Sequence, residues 1–349
     1  MASLWDYPDF DAHEGVHLFD DPASGLRAIV AIHSTNLGPA SGGTRFWHYA
    51  DGEAAITDAL RLSRGMSYKN AMAGLPAGGG KGVILAPADR RKTPELLAAF
   101  GRAVDSLGGR YVTAEDVGVG EADMVAISRE TRHVVGLPVK EGMAGGDPGP
   151  TTAFGVFLGV KAAVRRALGR DSVEGVHVAI QGTGSVGGGL ARHLAAEGAR
   201  LTLADADAGR AERLAAELGG RAVAADEIMT VEADVLSPCA LGAILTESSI
   251  AALKVPVVAG GANNQIATPG DAQRLHARGI LYAPDYVINA GGIINVVFEY
   301  LGDKSRADVE AQVAGIPVRL EQVWAESAAT GDPAAVVADH MAQRLIGRR

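Results

Sequence analysis

Two lysines and an acid have the types and spacing to move protons. Lys69, in MSYKNAMAG, and Lys81, in GLPAGGGKG, lie twelve residues apart, and Asp116 follows in RYVTAED. Two cations serve one small anion best when their jobs differ. One stays charged and clamps a carboxylate. The other exchanges protons, so its pKa must fall. A lysine at ~10.4 is only about 0.04% neutral at pH 7, whereas at ~8 about 10% is neutral. Burial and a neighbouring cation both drive that shift. Asp116 would then pass protons to a bound water or ammonia. The plainer alternative for each lysine is a solvated surface side chain, the usual fate of Lys.

The glycines before Lys81 raise a separate question. A phosphate-binding P-loop needs Gly, four residues, then Gly-Lys-Ser/Thr. Here Leu75 stands where the first glycine belongs, and Gly82 follows the lysine, so no hydroxyl is placed for magnesium. Two readings stay open: a flexible loop, or a loop that brings backbone and Lys81 against a small substrate.

A second constellation points to a cofactor. Gly182-Thr183-Gly184-Ser185-Val186-Gly187 is a G-x-G-x-x-G between the apolar run Val176–Ile180 and a helical stretch Val186–Glu197, and a second strand ends at Asp205. In that setting each part has a task. Gly182 makes the tight turn, Gly184 admits the pyrophosphate to the backbone, and Gly187 lets helix and strand pack closely. The helix N-terminus, opening at Ser185 and Val186, attracts phosphate, and a carboxylate holds ribose hydroxyls. Asp205 repels a 2′-phosphate, which favours NAD over NADP, although Arg210 lies close in sequence.

The elements that must position these groups read as α/β. At 349 residues the chain has room for about two domains. Residues 17–33 predict two strands joined by a turn. Helices are expected over Asp51–Arg64 and from Thr93-Pro94 to Gly108-Gly109. RYVTAED predicts a strand that delivers acids to its C-terminal end, where open α/β sheets bind ligands. GMAGGDPGP, residues 142–150, is a Gly/Pro-rich break and an expected hinge. A βαβ unit and strands at 233–236, 255–259 and 280–282 then suggest a parallel sheet. Beyond Asn289 the pattern is helical. Pro317 implies a kink or a late helix start, and Asp332-Pro333 opens the last helix.

Composition narrows the class of partner. The net charge of −9 argues against nucleic acid, whose phosphates want a basic face. No apolar run approaches a membrane span, and the N-terminus lacks a signal-peptide pattern. The single cysteine, Cys239, cannot form an internal disulfide, which fits a cytoplasmic location. The nine histidines show no metal-ligand spacing, so no metal is expected, and His33, His177 and His193 read as structural.

GPASGGTRFW, RGMSYKNAMAGLPAGGGKGVI, RYVTAEDVG, SPCALGAIL, VAGGANNQIA and GILYAPDYVINAGGIINVV together carry a family resemblance. In order and spacing they resemble the leucine, phenylalanine and valine dehydrogenases of the glutamate dehydrogenase superfamily, leucine dehydrogenase most of all. The resemblance spans nearly the whole chain. It implies NAD-dependent, reversible oxidative deamination of an L-amino acid to a 2-oxo acid and ammonia. It implies an N-terminal α/β substrate and oligomerisation domain (residues 1–141, with a C-terminal helix at about 331–349 returning to it) and a Rossmann NAD domain (151–330). It also implies a cleft between the two, expected to close about the 142–150 hinge, and a homo-oligomer, dimer to octamer.

The same resemblance assigns roles. Lys69 matches the lysine that holds the substrate carboxylate, Lys81 the catalytic lysine that activates water, and Asp116 its partner in proton transfer; the triple glycine is then expected to let backbone pack tightly behind Lys81 and desolvate it. Gly42 and Gly43 match the glycine pair lining the substrate site. Thr152 and Asn264 match residues near the nicotinamide, Asn263 in the same expected crevice is expected to bind the substrate, and SPCA places Cys239 and Ala240 at the cofactor. Glutamate enzymes carry Lys where Ser41 stands, so an acidic side chain would be left unpaired here. Ser41, Met66, Ala114, Ile293 and Val296 form the expected, mostly apolar, side-chain pocket. A branched-chain substrate is favoured over phenylalanine. A non-catalytic NAD- or amino-acid-binding sensor is the alternative of a different class, and the retained trio of Lys69, Lys81 and Asp116 argues against it.

Overall fold

The computed structural model describes residues 3–139, 141–240 and 242–348. The chain divides into two compact units. The first contains strands β1 (Gly15–Asp21), β2 (Leu26–Ser34) and β3 (Ala40–Trp47), helix α1 (Gly52–Met72), β4 (Gly78–Leu85), α2 (Pro94–Asp105), β5 (Tyr111–Ala114) and α3 (Glu121–Ile127). Its sheet runs β1-β2-β4-β3-β5. β1 and β2 form the expected antiparallel hairpin, and β3 is parallel to both β4 and β5.

Period-two alternation explains why β2 is buried on both faces. Ala28, Val30 and Ile32 meet Leu96, Leu97, Phe100 and Val104 of α2. Ile29 and Ala31 join Ala55 and Ala59 of α1. The helix starts are local: Asp51 caps α1 by accepting from the Ala54 amide at 2.8 Å, and Thr93 caps α2 ahead of Pro94. α1 runs two turns past the expected Arg64, so Met66 and Lys69 are helical.

The largest departure is at the glycines before Lys81. Gly78–Leu85 is not a loop but an interior strand, antiparallel to β2 and parallel to β3. The glycines are there because neighbours occupy the space of a side chain. A Cβ on Gly79 would lie 2.0 Å from the Ser67 amide nitrogen of α1, and one on Gly82 would lie 2.2 Å from Thr44 Oγ1. Helix and strands therefore approach to backbone distance.

The second unit opens with α4 (Pro148–Leu168) and continues β6 (His177–Gln181), α5 (Ser185–Ala196), β7 (Arg200–Ala204), α6 (Ala208–Leu218), β8 (Arg221–Ala222), β9 (Val235–Pro238), α7 (Glu247–Ala252), β10 (Val257–Val258), α8 (Pro269–Ala277), β11 (Leu281–Tyr282) and α9 (Asp285–Ile288). Its sheet is parallel throughout, in the order β11-β10-β9-β6-β7-β8. That is the doubly wound Rossmann order, with its topological switch between β6 and β9. α4 begins inside the expected 142–150 break, because prolines are tolerated in a first helical turn.

The remaining helices are α10 (Gly291–Leu301), α11 (Arg306–Val313), α12 (Ile316–Thr330) and α13 (Ala334–Leu345). Pro317 sits in the first turn of α12, a late start rather than a kink. The unit boundaries differ from the sequence reading. The first unit runs to Asp147 and takes back Ile293–Val309, while only Ala342 onward, not the whole of 331–349, rejoins it. The cause is packing. Val296 and Tyr300 of α10 cover Val112, Ala114 and Val135. Glu299 accepts from the amides of Gly136 and Leu137 at 2.8 and 3.0 Å. No helix among the described residues is long and apolar enough to cross a membrane.

Candidate active site

In the first unit, Lys81 points from β4 to the residues following β5. Its Nζ donates to Asp116 Oδ2 at 2.5 Å, and the residue is only 6% exposed. Burial pushes the Lys81 pKa below its ordinary value, against the opposing pull of Asp116. Burial by itself would raise Asp116, but Lys81 and then Arg45 outweigh it and hold the carboxyl below the usual range. Burial thus favours loss of the lysine's proton, while the two cations favour the charged form of the acid.

The surrounding elements bring other expected residues to the same place. On β3, Gly42 and Gly43 pair in register with Thr113 and Ala114 of β5, and Ser41 is buried opposite Gly79 of β4. A Cβ on Gly43 would lie 2.9 Å from the Asp116 Cβ, and one on Gly42 would lie 3.2 Å from Met66 Cγ. Lys69 lies one helical turn beyond Met66, on the same face of α1. Val296 rests on Ala114, and Ile293 is buried one turn before Val296 in α10. Behind β3, the Tyr111 hydroxyl donates to the Gly42 carbonyl at 2.7 Å. Burial pushes that phenol up to about 12.

Sequence reading missed Arg45, Asp58 and Tyr49. Arg45 donates from Nε to Asp116 Oδ2 at 3.1 Å and from Nη1 to Asp58 Oδ2 at 2.8 Å, and Tyr49 donates to Asp58 at 2.7 Å. No motif marked them. The structure alone shows Arg45 as a charged residue between the buried Thr44 and Phe46.

The second unit holds the glycine-rich turn at the C-terminal end of β6, beside the switch point. Gly182 has φ of 89°, a left-handed value that favours glycine. A Cβ on Gly187 would lie 1.9 Å from the Gly182 carbonyl oxygen, so α5 abuts the turn. A Cβ on Gly184 would meet nothing within 4 Å, which leaves space over the N-terminus of α5 at Ser185 and Val186. Asp205 ends β7. Its Oδ2 accepts from the Thr183 amide and hydroxyl at 2.7 and 2.9 Å, and its Oδ1 accepts from the Asp207 amide at 3.0 Å. These bonds, with Arg210 at 3.7 Å, outweigh burial and keep it ionised. The open cradle and the acid at its side fit a nicotinamide dinucleotide.

Neighbouring residues complete that strand-end rim. Cys239 follows β9, with its thiol pushed up by burial and accepting from the Gly261 amide at 3.5 Å; Ala240 is exposed. Asn289 donates to Asn263 Oδ1 at 2.8 Å, and Asn264 takes a left-handed φ of 52°. Thr152 donates to the Pro148 carbonyl in the first turn of α4. No group of three or more metal-ligating side chains occurs among the described residues. His33 is buried against Ser67 at 2.7 Å, and burial drives it down to about 3, so it is neutral.

Known proteins match both units. Residues 13–133 match the model described as Glu/Leu/Phe/Val dehydrogenase, dimerisation domain, and residues 209–342 match Glutamate/Leucine/Phenylalanine/Valine dehydrogenase. Leucine dehydrogenase of Bacillus subtilis is 46% identical over 345 residues, covering 99% of this chain and 94% of the relative. Valine dehydrogenase of Streptomyces virginiae is 46% identical, covering 97% of this chain and 95% of the relative. The crystal structure of L-tryptophan dehydrogenase from Nostoc punctiforme superimposes with a TM-score of 0.86 at 42% identity, covering 96% of each chain. The chain belongs to the glutamate/leucine/phenylalanine/valine dehydrogenase family and is an amino acid dehydrogenase that works with a nicotinamide cofactor.

Proposed function

We propose that the protein catalyses the reversible, NAD-dependent oxidative deamination of a branched-chain L-amino acid, leucine or its close relatives, to the 2-oxo acid and ammonia. The observation that carries the reading is the buried Lys81 paired with Asp116, with Gly42, Gly43 and the apolar Ala114 on the adjoining strands. NAD, held at Gly182–Gly187 and Asp205, would take the hydride from the substrate Cα. Lys69 clamps the substrate carboxylate. Lys81, in its neutral form, draws a proton from water as that water attacks the imine carbon, and Asp116 stabilises the resulting ammonium. Proton return from Lys81 to the amino group, with the carbinol hydroxyl proton passed through Asp116 to solvent, expels ammonia and leaves the 2-oxo acid.

Under the same reading, Ser41, Met66, Ala114, Ile293 and Val296 receive the side chain, Asn263 binds the substrate, and Thr152, Asn264, Cys239 and Ala240 border the cofactor. Ser41 presents no cation to a glutamate carboxylate, whose burial unpaired is expensive. The first unit would also mediate a homo-oligomer, residues 142–150 would act as a hinge, and the enzyme would work in the cytoplasm. The test is NADH oxidation with ammonium and a panel of 4-methyl-2-oxopentanoate, 3-methyl-2-oxobutanoate, phenylpyruvate and 2-oxoglutarate. Fast turnover of the first two supports the reading. Preference for phenylpyruvate or 2-oxoglutarate overturns the substrate, and no turnover with any overturns the activity.

A further inference from the structure

The charges around the Lys81–Asp116 pair alternate in sign along a chain of contacts. Lys81 donates to Asp116, Arg45 donates to the same Asp116 oxygen, and Arg45 also donates to Asp58. Tyr49 and the exposed Arg61 close the far end on Asp58. The elements are fixed by backbone. The Phe46 amide donates to the Val117 carbonyl at 3.0 Å, and a Cβ on Gly43 would lie 2.3 Å from the Glu115 carbonyl oxygen. Residues 115–117 are thus held against β3, alongside Arg45.

A carboxylate facing only Lys81 would oppose the lysine's loss of a proton, since neutral Lys81 would leave a half-buried anion unpaired. Arg45 removes that obstacle. We propose that Arg45 is a positioning residue: anchored by Asp58 and Tyr49, it fixes the Asp116 carboxylate at Lys81 and supplies the permanent cation that partners Asp116 while Lys81 loses and regains its proton. The inference rests on Lys81 being the proton-exchanging lysine. The guanidinium fork spans both acids, which an ammonium at the same position would not do. The charged or titratable groups facing this chain are Arg45 on β3, Asp58 and Arg61 on α1, Tyr49 after β3, Tyr111 on β5 and Asp116 itself. Tyr111 stays neutral, and Lys69 of α1 belongs to the substrate carboxylate.

The experiment compares kcat/KM against pH for deamination in wild type, Arg45→Met, Arg45→Lys and Asp58→Asn. The acid limb reports neutral Lys81. Arg45→Met should move it up by about one pH unit, since a nearby cation is lost. Asp58→Asn should move it down, because an anion is lost. Arg45→Lys should keep the limb near wild type while kcat falls. A merely structural role moves neither limb. Unshifted limbs, or shifts of the same sign in Arg45→Met and Asp58→Asn, overturn the proposal. Where Arg45→Met does not fold, Asp58→Asn decides alone: a downward shift supports, no shift or an upward one overturns. Lys81→Ala separates the two levels. If it retains turnover, the reading of Lys81 fails. If it is dead while the Arg45→Met limb is unmoved, only the role of Arg45 fails.

Discussion

Lys81 Nζ and Asp116 Oδ2 meet at 2.5 Å although they come from β4 and from the turn after β5, which are 35 positions apart in sequence. The pair is buried on the lysine side and open on the acid side, so the lysine is desolvated while the acid retains partners. Lys81→Ala should lower kcat by about 10²–10⁴, the usual worth of a general acid or base. Thermal unfolding should change little, because Asp116 keeps Arg45. Retained turnover in a folded variant would remove Lys81 from the chemistry.

The pH dependence has a definite sign. Under the proposed mechanism deamination needs neutral Lys81, and burial sets its pKa below the ordinary lysine value. The rate should therefore rise with pH as that lowered value is crossed, with saturation before ~10.4, the ordinary lysine pKa. A steady-state profile that falls over that range contradicts the assignment.

Two glycines with opposite surroundings should respond oppositely. A Cβ on Gly79 would strike the Ser67 backbone, whereas one on Gly184 meets nothing within 4 Å. Gly79→Ala should cost about 3 kcal/mol or more, since α1 must move off the sheet. Gly184→Ala should melt like wild type yet bind NAD more weakly, because the methyl takes the space left for phosphate. Calorimetry and NAD titration check both; equal melting temperatures for the two variants would refute the packing argument.

Asp205 is tied to the glycine-rich turn by Thr183, which donates two hydrogen bonds to it. Asp205→Ala removes the acid proposed to repel a 2′-phosphate. The ratio of kcat/KM for NAD over NADP should fall by at least tenfold. Thr183→Val keeps the acid but frees it, so the ratio should fall less. An unchanged ratio in Asp205→Ala would place cofactor selection elsewhere.

Ser41 is buried beside Gly79 and Val112 in the expected side-chain pocket. Ser41→Leu shortens that pocket. Turnover of phenylpyruvate should drop more than that of 3-methyl-2-oxobutanoate. One methylene commands only ~1–3 kcal/mol of discrimination, so the change in ratio should lie within about 10–200-fold. Equal losses on both would show that Ser41 does not border the side chain.

What the sequence by itself determined was whatever local chemistry controls. The helix starts at Asp51 and Thr93 are set by side-chain caps, and the βαβ unit around Gly182–Asp205 by short-range periodicity and turn glycines. The trio proposed for the chemistry, Lys69, Lys81 and Asp116, was picked out as residue types at a given spacing. Tertiary structure alone decided the rest, for one reason: the deciding contacts are remote in sequence. GGGKG looks like a loop by propensity and becomes an interior strand because α1, β2 and β3 close on it to backbone distance. α10 joins the first unit because Val296 and Tyr300 bury against residues more than 150 positions earlier. Arg45 matters because a strand, a helix and a turn converge on its guanidinium, a coincidence in space that no linear pattern records.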